Sequence, residues 1–246
     1  MRTAFLLSSL ACLLPGTSNA VVLEFTPVRD TTIYSETGLA NGSGTGMFAG
    51  GNGRGTLRRG LIAFDLSSIS PGFEVVGAEL QMTVLRSAND ETTVSLHRVL
   101  ANWGEGVSDA GDPGGAGTSA ASGDATWNFR FFGTPSAWNT PGGDFAGAAS
   151  TSRTVQGEAT YVWEGQPAML EDIQNWIDAP ETNFGWIVLG DESLRTARRF
   201  GTREASAEFQ PRLRIDVVPV PEASTYLTML AGLVVLGISR RRFRPR

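Results

Sequence analysis

The middle of the chain carries a two-residue hydrophobic rhythm. Between positions 78 and 84, apolar and polar residues alternate without exception, a pattern typical of a strand with one buried face. Similar segments predict about nine short strands, at 22–26, 31–35, 61–64, 78–84, 93–100, 154–163, 186–189, 198–202 and 213–217. This number favours an all-β fold, a jelly-roll-like β-sandwich.

One segment has helical spacing instead. Its apolar residues recur on one helical face and are Met169, Leu170, Ile173, Trp176 and Ile177. Pro167 lies near the start and Pro180 just past the end, as is common at helix boundaries. Glu171, Asp172 and Asp178 fall on the opposite side. We therefore predict one amphipathic helix that caps an end of the sandwich.

Two glycine-rich stretches interrupt the strands. Residues 38–55 contain eight glycines and predict an ordered loop around a sheet edge. Residues 102–152 are rich in glycine, alanine and serine, yet they hold seven large aromatics: Trp103, Trp127, Phe129, Phe131, Phe132, Trp138 and Phe145. A disordered linker seldom carries so many aromatics, so this segment is predicted to be functional or packed by its own side chains.

The first twenty residues are typical of a secretory signal peptide. Arg2 precedes an apolar stretch at 4–14 that is too short to span a bilayer. Small residues at positions −3 and −1, Ser18 and Ala20, predict cleavage between Ala20 and Val21. The domain proper is therefore expected at residues 21–218, and the protein is expected to be exported through the inner membrane.

The last segment, residues 219–246, has three parts: Pro221 and Glu222 in a proline-rich stretch, an apolar run at 226–238, and an arginine cluster at 240–246. Arginines after an apolar helix hold that end in the cytoplasm. The layout resembles the PEP-CTERM sorting signal of bacteria, although Ala223 stands where the second proline is usual. The resemblance implies an exosortase-type processing enzyme, a transient stay in the inner membrane, and a final place at the cell surface or in a biofilm matrix rich in exopolysaccharide. The alternative is a plain single-span anchor.

Charge and cysteine content exclude several classes of function. Between residues 21 and 218, 14 arginines stand against 24 acids, a net charge of −10. Such a domain repels phosphate backbones, so no nucleic acid partner is expected. The lone cysteine, Cys12, lies in the predicted signal peptide. The domain therefore has no disulfide and no thiolate site.

A longer pattern carries a family resemblance. Asp30-Thr31-Thr32-Ile33 precedes a glycine loop, Arg59-Gly60-Leu61-Ile62-Ala63-Phe64-Asp65-Leu66, and then Val76-Gly77-Ala78-Glu79-Leu80. Trp103-Gly104-Glu105-Gly106 and Phe200-Gly201-Thr202-Arg203-Glu204 follow. These segments resemble the DNRLRE domain, a disaggregatase-type carbohydrate-binding module, over nearly all of residues 21–218. The resemblance implies a jelly-roll sandwich and, less directly, carbohydrate binding. The segment 106–123 departs from it in length.

No catalytic constellation stands out. His97 is the lone histidine and lies in an alternating segment, which favours an ordinary strand residue. Asp30, Asp65 and Asp216 could serve a structural calcium ion, but their spacing does not require one, and Asp65 better fits a cap on the turn at Ser67. We therefore expect a protein that is not an enzyme and needs no cofactor, with calcium left open.

Carbohydrate modules bind sugars by aromatic stacking and polar groups. The candidate stacking residues are Trp103, Trp138 and Trp127, which could instead anchor the long loop, as we favour for Trp127. The candidate arginines for acidic sugars are Arg58, Arg59, Arg198, Arg199 and Arg203; they could equally form internal ion pairs. The expected function is that of a non-catalytic polysaccharide-binding surface or matrix protein. The alternatives are a purely structural module acting through protein contacts and a polysaccharide lyase or hydrolase.

The predicted ends can be tested directly. Mass spectrometry of the protein from its native host is expected to show a chain that begins at Val21 and has lost the apolar run at 226–238. An intact C-terminus that extends through Arg246 would identify a retained anchor instead.

Overall fold

The computed structural model describes residues 19–87 and 91–220. Thirteen strands and one α-helix occur in this part of the chain, and every strand pair is antiparallel. The strands are β1 (Val21–Phe25), β2 (Pro27–Tyr34), β3 (Leu39–Ala40), β4 (Gly46–Gly51), β5 (Leu57–Phe64), β6 (Phe73–Arg86), β7 (Thr92–Arg98), β8 (Thr118–Ser119), β9 (Thr151–Val155), β10 (Thr160–Glu164), β11 (Trp186–Leu189), β12 (Arg198–Gly201) and β13 (Arg212–Pro219). The all-β prediction is confirmed.

Eleven strands form one curled sheet. Its order is β1-β13-β6-β12-β4-β5-β11-β7-β9, with β10 added on β6 and β2 on β5. The strands β1, β13, β6 and β10 make one arm; β2, β5, β11, β7 and β9 make the other; β4 and β12 join them. Side chains from both arms meet in one apolar core. The two remaining strands, β3 and β8, pair with each other.

The central strands of the second arm are buried on both faces. Ile62 of β5 and Trp186 of β11 point into the core between the arms. Their neighbours Leu61 and Ile187 point the other way, into a second apolar cluster. All four side chains are fully buried. A strand buried on both faces needs a cover on its outer side.

The long segment between β7 and β9, residues 99–150, supplies that cover, and we call it the covering loop. Trp103 and Trp138 are the largest residues that it adds to the outer cluster. The indole Nε1 of Trp103 donates to the carbonyl of Phe184 at 2.8 Å, and that of Trp138 donates to the carbonyl of Thr126 at 2.9 Å. The prediction that this segment is packed by its own aromatic side chains is confirmed.

The α-helix, α1 (Pro167–Asp178), lies where the sequence pattern predicts it. It runs from β10 in one arm to β11 in the other, and its residues Met169, Ile173, Trp176 and Ile177 close the core between the arms. Trp176 packs edge-on against Trp186, with ring centroids 4.6 Å apart.

Asp172 departs from the predicted polar face of α1, because its side chain is buried. It accepts hydrogen bonds from Ser150 and from the indole of Trp186 and forms an ion pair with Arg98. Burial raises the pKa of Asp172 above its usual value, and the two hydrogen bonds oppose that shift. A buried carboxylate is tolerated here because each neighbour supplies a donor.

One loop prediction and one strand prediction were wrong in detail. The glycine-rich stretch 38–55 contains β3 and β4 rather than a loop alone, and its glycines allow close packing: a Cβ at Gly51 would lie 2.1 Å from the carbonyl oxygen of Ser193. The segment 154–163 contains two strands, because the chain turns after Val155 and crosses from one arm to the other. The alternation of apolar and polar residues within this segment does not reveal that the chain changes from one arm to the other.

The predicted sorting elements lie almost entirely outside the described residues. This applies to the signal peptide up to residue 18, to Pro221 and Glu222, and to the apolar run and arginine cluster after them. Ala20 is described and exposed, and β1 begins directly after it. Within residues 19–87 and 91–220, no helix has the length and apolarity needed to cross a membrane.

The covering loop should depend on its buried indole. Trp103→Ala is expected to lower the free energy of unfolding by about 3–5 kcal/mol, because it opens a cavity and leaves the Phe184 carbonyl unpaired. Urea denaturation measures this loss. Leu100→Ala removes a half-exposed apolar residue of the same segment and should change stability by less than about 0.5 kcal/mol. Similar losses in the two variants would contradict the anchoring role.

Candidate ligand-binding pocket

An open cavity of about 390 Å³ lies where the two arms of the sheet are joined. This volume is within the range of small-ligand sites, roughly 300–1,000 Å³. Three of its lining residues are arginines: Arg58 of β5, Arg86 at the end of β6, and Arg199 of β12. Phe48 of β4 adds an aromatic wall, and Pro113 and Gly115 of the covering loop contribute to the lining. We refer to this cavity as the arginine pocket.

Strand register brings the pocket residues side by side. Arg199 lies opposite Phe48 on β4 and opposite Arg86 on β6. Directly opposed residues of antiparallel strands share a sheet face and lie within contact distance. Phe48 faces away from the main core, since its neighbours Met47 and Ala49 belong to that core while Phe48 does not. The row Phe48–Arg199–Arg86 is therefore on the outer face.

An irregularity in β6 places Arg86 in this row. Leu80, Met82 and Val84 all point into the core, so strict alternation would send Arg86 inward too. The register shifts between Arg199 and Phe200, so that Phe200 opposes Val84 but Arg199 opposes Arg86. One extra residue of β6 is taken up there, as in a β-bulge, which turns the next side chain to the other face.

The three arginines are not equally free to bind a ligand. Arg58 is 3% exposed and forms a two-pronged contact with Glu36, whose carboxylate oxygens lie at 2.7 and 3.0 Å. Its guanidinium also lies over the ring of Tyr34, 4.9 Å from the centroid. Arg58 therefore forms a rigid wall. The Arg58–Glu36 pair confirms, for this residue, the alternative of internal ion pairing.

Arg199 is held more loosely. Its Nη2 contacts Asp112 at 2.7 Å and the hydroxyl of Thr45 at 2.9 Å. Asp112 is 75% exposed, and ion pairs with an exposed partner contribute little to stability. An anionic ligand could therefore replace Asp112 at small cost.

Arg86 is the exposed cation of the pocket. Among the described residues, no carboxylate lies within ion-pair distance of its guanidinium. Like charges directly opposite each other on a sheet are unfavourable, and Arg86 stands opposite Arg199. Arg86 therefore carries a positive charge that no described carboxylate balances, beside an arginine whose partner Asp112 is exposed, and an anion in the pocket would balance it.

The tryptophans predicted for sugar stacking do not lie at this pocket. Trp103 is fully buried and Trp138 is 5% exposed, and the guanidinium of Arg29 covers the ring of Trp103, 4.4 Å from its centroid. Neither ring has an exposed face, since both residues form the outer apolar cluster. Trp127 is partly buried and packs on the same cluster, which agrees with the role favoured for it above, anchoring of the long loop.

Arg59 and Arg203 lie elsewhere and are ion-paired. Arg59 contacts Glu192 at 2.6 Å and the carbonyl of Gly142 at 2.8 Å, and its guanidinium lies 4.7 Å from the ring centroid of Trp127. It lines a separate hollow beside Asp144, whose acid offsets its charge. Arg203 pairs with Glu105 and Glu204. Arg198 is fully buried and donates to the carbonyl of Thr196.

His97 lies in β7 as predicted. Its Nε2 contacts the hydroxyl of Ser95 at 3.0 Å, and its Nδ1 contacts the carbonyl of Ala146 at 2.9 Å. The ring of Phe145 packs against it edge-on. Ser95 and His97 stand two residues apart on one strand, so their contact follows directly from the strand period.

The three aspartates considered for calcium do not come together. Asp65 accepts the backbone N–H of Ser67 at 2.9 Å, so its predicted role as a turn cap is confirmed. Hydrogen bonding with the side chain of Ser67, and then with its backbone N–H, lowers the pKa of Asp65. Asp216 contacts Arg214, and Asp30 lies with two glutamates instead.

Sequence reasoning missed Arg86 and Phe48. A signal for Arg86 was present: it is a charged residue at an inward position of a strictly alternating strand, which indicates either the strand end or a bulge. Phe48 was hidden because β4 lies in a glycine-rich stretch.

No family model and no curated protein matches this chain, so the resemblance to the DNRLRE domain and to the PEP-CTERM signal stays a prediction.

Arg59 should serve stability rather than ligand binding. Arg59→Ala is expected to cost about 1–2 kcal/mol in urea denaturation, because the Glu192 ion pair and the packing on Trp127 are lost together. Arg54→Ala, which removes an exposed arginine of the nearby turn, should cost less than about 0.5 kcal/mol. Equal stability of the two variants would contradict this assignment.

Proposed function

We propose that this protein is a non-catalytic polysaccharide-binding protein of the cell surface or extracellular matrix, and that the arginine pocket binds acidic sugars. The observation that carries the proposal is the row of Phe48, Arg199 and Arg86 on the outer face of the sheet. Uronic acids carry one carboxylate on each ring, and the guanidinium fork matches a carboxylate with two parallel hydrogen bonds.

The shape of the pocket fits part of an extended chain rather than a closed small molecule. The cavity is open to solvent, so a sugar bound in it could stay connected to the rest of a polymer. Pro113 is exposed and offers apolar surface for a sugar ring, while Arg86 and Arg199 supply charge. Phe48 is buried and forms part of the pocket wall beneath them. An enclosed cofactor site would bury its ligand more completely.

The proposal also covers the type of β-sandwich and the cellular location of the protein. The two arms that face each other across one core are consistent with a jelly-roll-like sandwich of the DNRLRE type. We infer export by the signal peptide, processing of the PEP-CTERM-like tail by an exosortase-type enzyme, and an environment rich in polysaccharide. An acidic domain suits that environment because its negative charge keeps it soluble.

Two alternatives lead to different results. A structural module that acts through protein contacts would bind no polysaccharide. A lyase or hydrolase would use a positioned base, for which the Ser95–His97 pair is the nearest arrangement, and would release new reducing ends or unsaturated products from acidic polymers. The arginine pocket favours binding without turnover, since arginine remains protonated and cannot act as a base near neutral pH.

The proposal predicts selective binding of acidic glycans. Calorimetric titration of the full-length chain with oligogalacturonates should give saturable binding that weakens as salt is added, while neutral glucans should give none. Arg86→Ala should weaken binding by roughly 10-fold, the effect of losing one charge-assisted hydrogen bond of about 1.5 kcal/mol.

Arg153→Ala is the matched control for this experiment. Arg153 is an exposed arginine of β9, outside the pocket, and its removal changes the net charge by the same amount. It should leave the affinity nearly unchanged. Equal weakening by both variants, or equal binding of neutral and acidic glycans, would refute a specific site in the arginine pocket.

A further inference from the structure

Three carboxylates from distant parts of the chain converge beside the covering loop. They belong to Asp30 in β2, to Glu105 in the covering loop, and to Glu204 just after β12. One carboxylate oxygen of each residue lies within 4.8 Å of the others. We call these residues the acidic triad.

Backbone and side-chain hydrogen bonds hold the acidic triad in place. The backbone N–H of Asp30 donates to Glu105 Oε1 at 2.8 Å. The backbone N–H of Arg203 donates to Asp30 Oδ2 at 2.8 Å. The guanidinium of Arg203 also contacts both oxygens of Glu105 at 2.7 Å. The carboxylates are therefore preorganised rather than free to separate in solvent.

Two oxygens of the acidic triad are buried without a hydrogen-bond partner, namely Asp30 Oδ1 and Glu204 Oε2. Asp30 is fully buried. An unpaired buried carboxylate oxygen is costly, because it loses its water and gains nothing in return. Burial raises the pKa of Asp30 well above its usual value, and it also raises the pKa of Glu204. The unpaired buried oxygens indicate a missing positive partner.

The net charge of the acidic triad and its neighbours indicates the charge of that partner. Three carboxylates carry three negative charges, and Arg203 is the cation that ion-pairs with Glu105 and Glu204. Arg29 lies nearby, but its guanidinium donates to the carbonyl of Trp103 and to Asn102. The three carboxylates and Arg203 together therefore carry a net charge of −2, and Asp30 has no ion pair among the described residues. One divalent cation would balance that charge.

We propose that the acidic triad binds a divalent cation, and that the cation is calcium. All three ligands are carboxylate oxygens, which favour calcium or magnesium over zinc or copper. Every pair of ligand oxygens lies within 4.8 Å, so a single ion with Ca²⁺–O distances of roughly 2.4 Å can contact all three. Magnesium needs shorter bonds and a stricter octahedron.

The bound ion would join three segments that the chain separates by some 75 to 100 residues each. It would tie β2 to the covering loop and to the turn after β12. This role is independent of the arginine pocket, which contains none of the three residues. Loss of calcium should therefore destabilise the protein even if no glycan binds.

The test compares thermal unfolding of the full-length chain after chelation and after addition of CaCl₂. At a Ca²⁺ concentration about 100-fold above the dissociation constant, the melting temperature should rise by about 5–10 °C. Glu204→Gln keeps the size of the side chain but removes a charged ligand, so it should reduce the rise to less than about 2 °C. Glu208→Gln changes an exposed acid four positions further on and should keep the full rise.

A direct binding measurement covers the case in which Glu204→Gln does not fold. Tb³⁺ replaces Ca²⁺ at oxygen sites and luminesces when a nearby tryptophan is excited. Trp103 can serve as that tryptophan, since it lies two residues from Glu105 and packs under Arg29, the residue before Asp30. A saturable, one-to-one Tb³⁺ signal from the unmodified chain that CaCl₂ displaces would support the site. Absence of that signal, no thermal shift in the unmodified chain, or an equal shift in Glu204→Gln would overturn it.

Discussion

Burial of β5 and β11 on both faces is the constraint on which the rest of the structure depends. Ile62 and Trp186 face the core between the arms, while Leu61 and Ile187 face outward. The outward side chains would expose a large apolar patch if nothing covered them, and burial of such side chains supplies roughly 1.5–3 kcal/mol each. A chain with this strand sequence therefore needs a long, aromatic-rich segment after β7. Trp103 fixes that segment to the sheet.

The same covering segment contributes residues to both proposed sites. Pro113 and Gly115 line the arginine pocket, and Asp112 pairs with Arg199. Glu105 belongs to the acidic triad. A loop that packs through buried indoles has little freedom left, so the polar groups between its anchors occupy defined positions. A segment without long strands or a helix can therefore hold functional side chains in positions as well defined as those on a strand.

Electrostatics divides the arginines of the pocket, together with Arg59 and Arg203, into two groups. Arg58, Arg59, Arg199 and Arg203 are each ion-paired, as buried or half-buried cations in an acidic domain usually must be. Arg86 is exposed and lies next to Arg199 across the sheet. The acidic triad shows the complementary imbalance, with more carboxylates than arginine can neutralise. Both proposals therefore rest on charge that the described residues leave uncompensated.

The sequence by itself determined most of the strands, α1 with both of its ends, and the packing of the aromatic-rich segment, because each is set by local periodicity, proline position or composition. Only the tertiary structure decided that Arg86 turns outward at an irregularity, that Asp172 is buried with Arg98, and that Asp30 meets Glu105 and Glu204. The physical reason is that these facts depend on which strands become neighbours. Pairing between residues as far apart as Asp30 and Glu204 is settled by the packing of the whole sheet, and no short stretch of sequence records it.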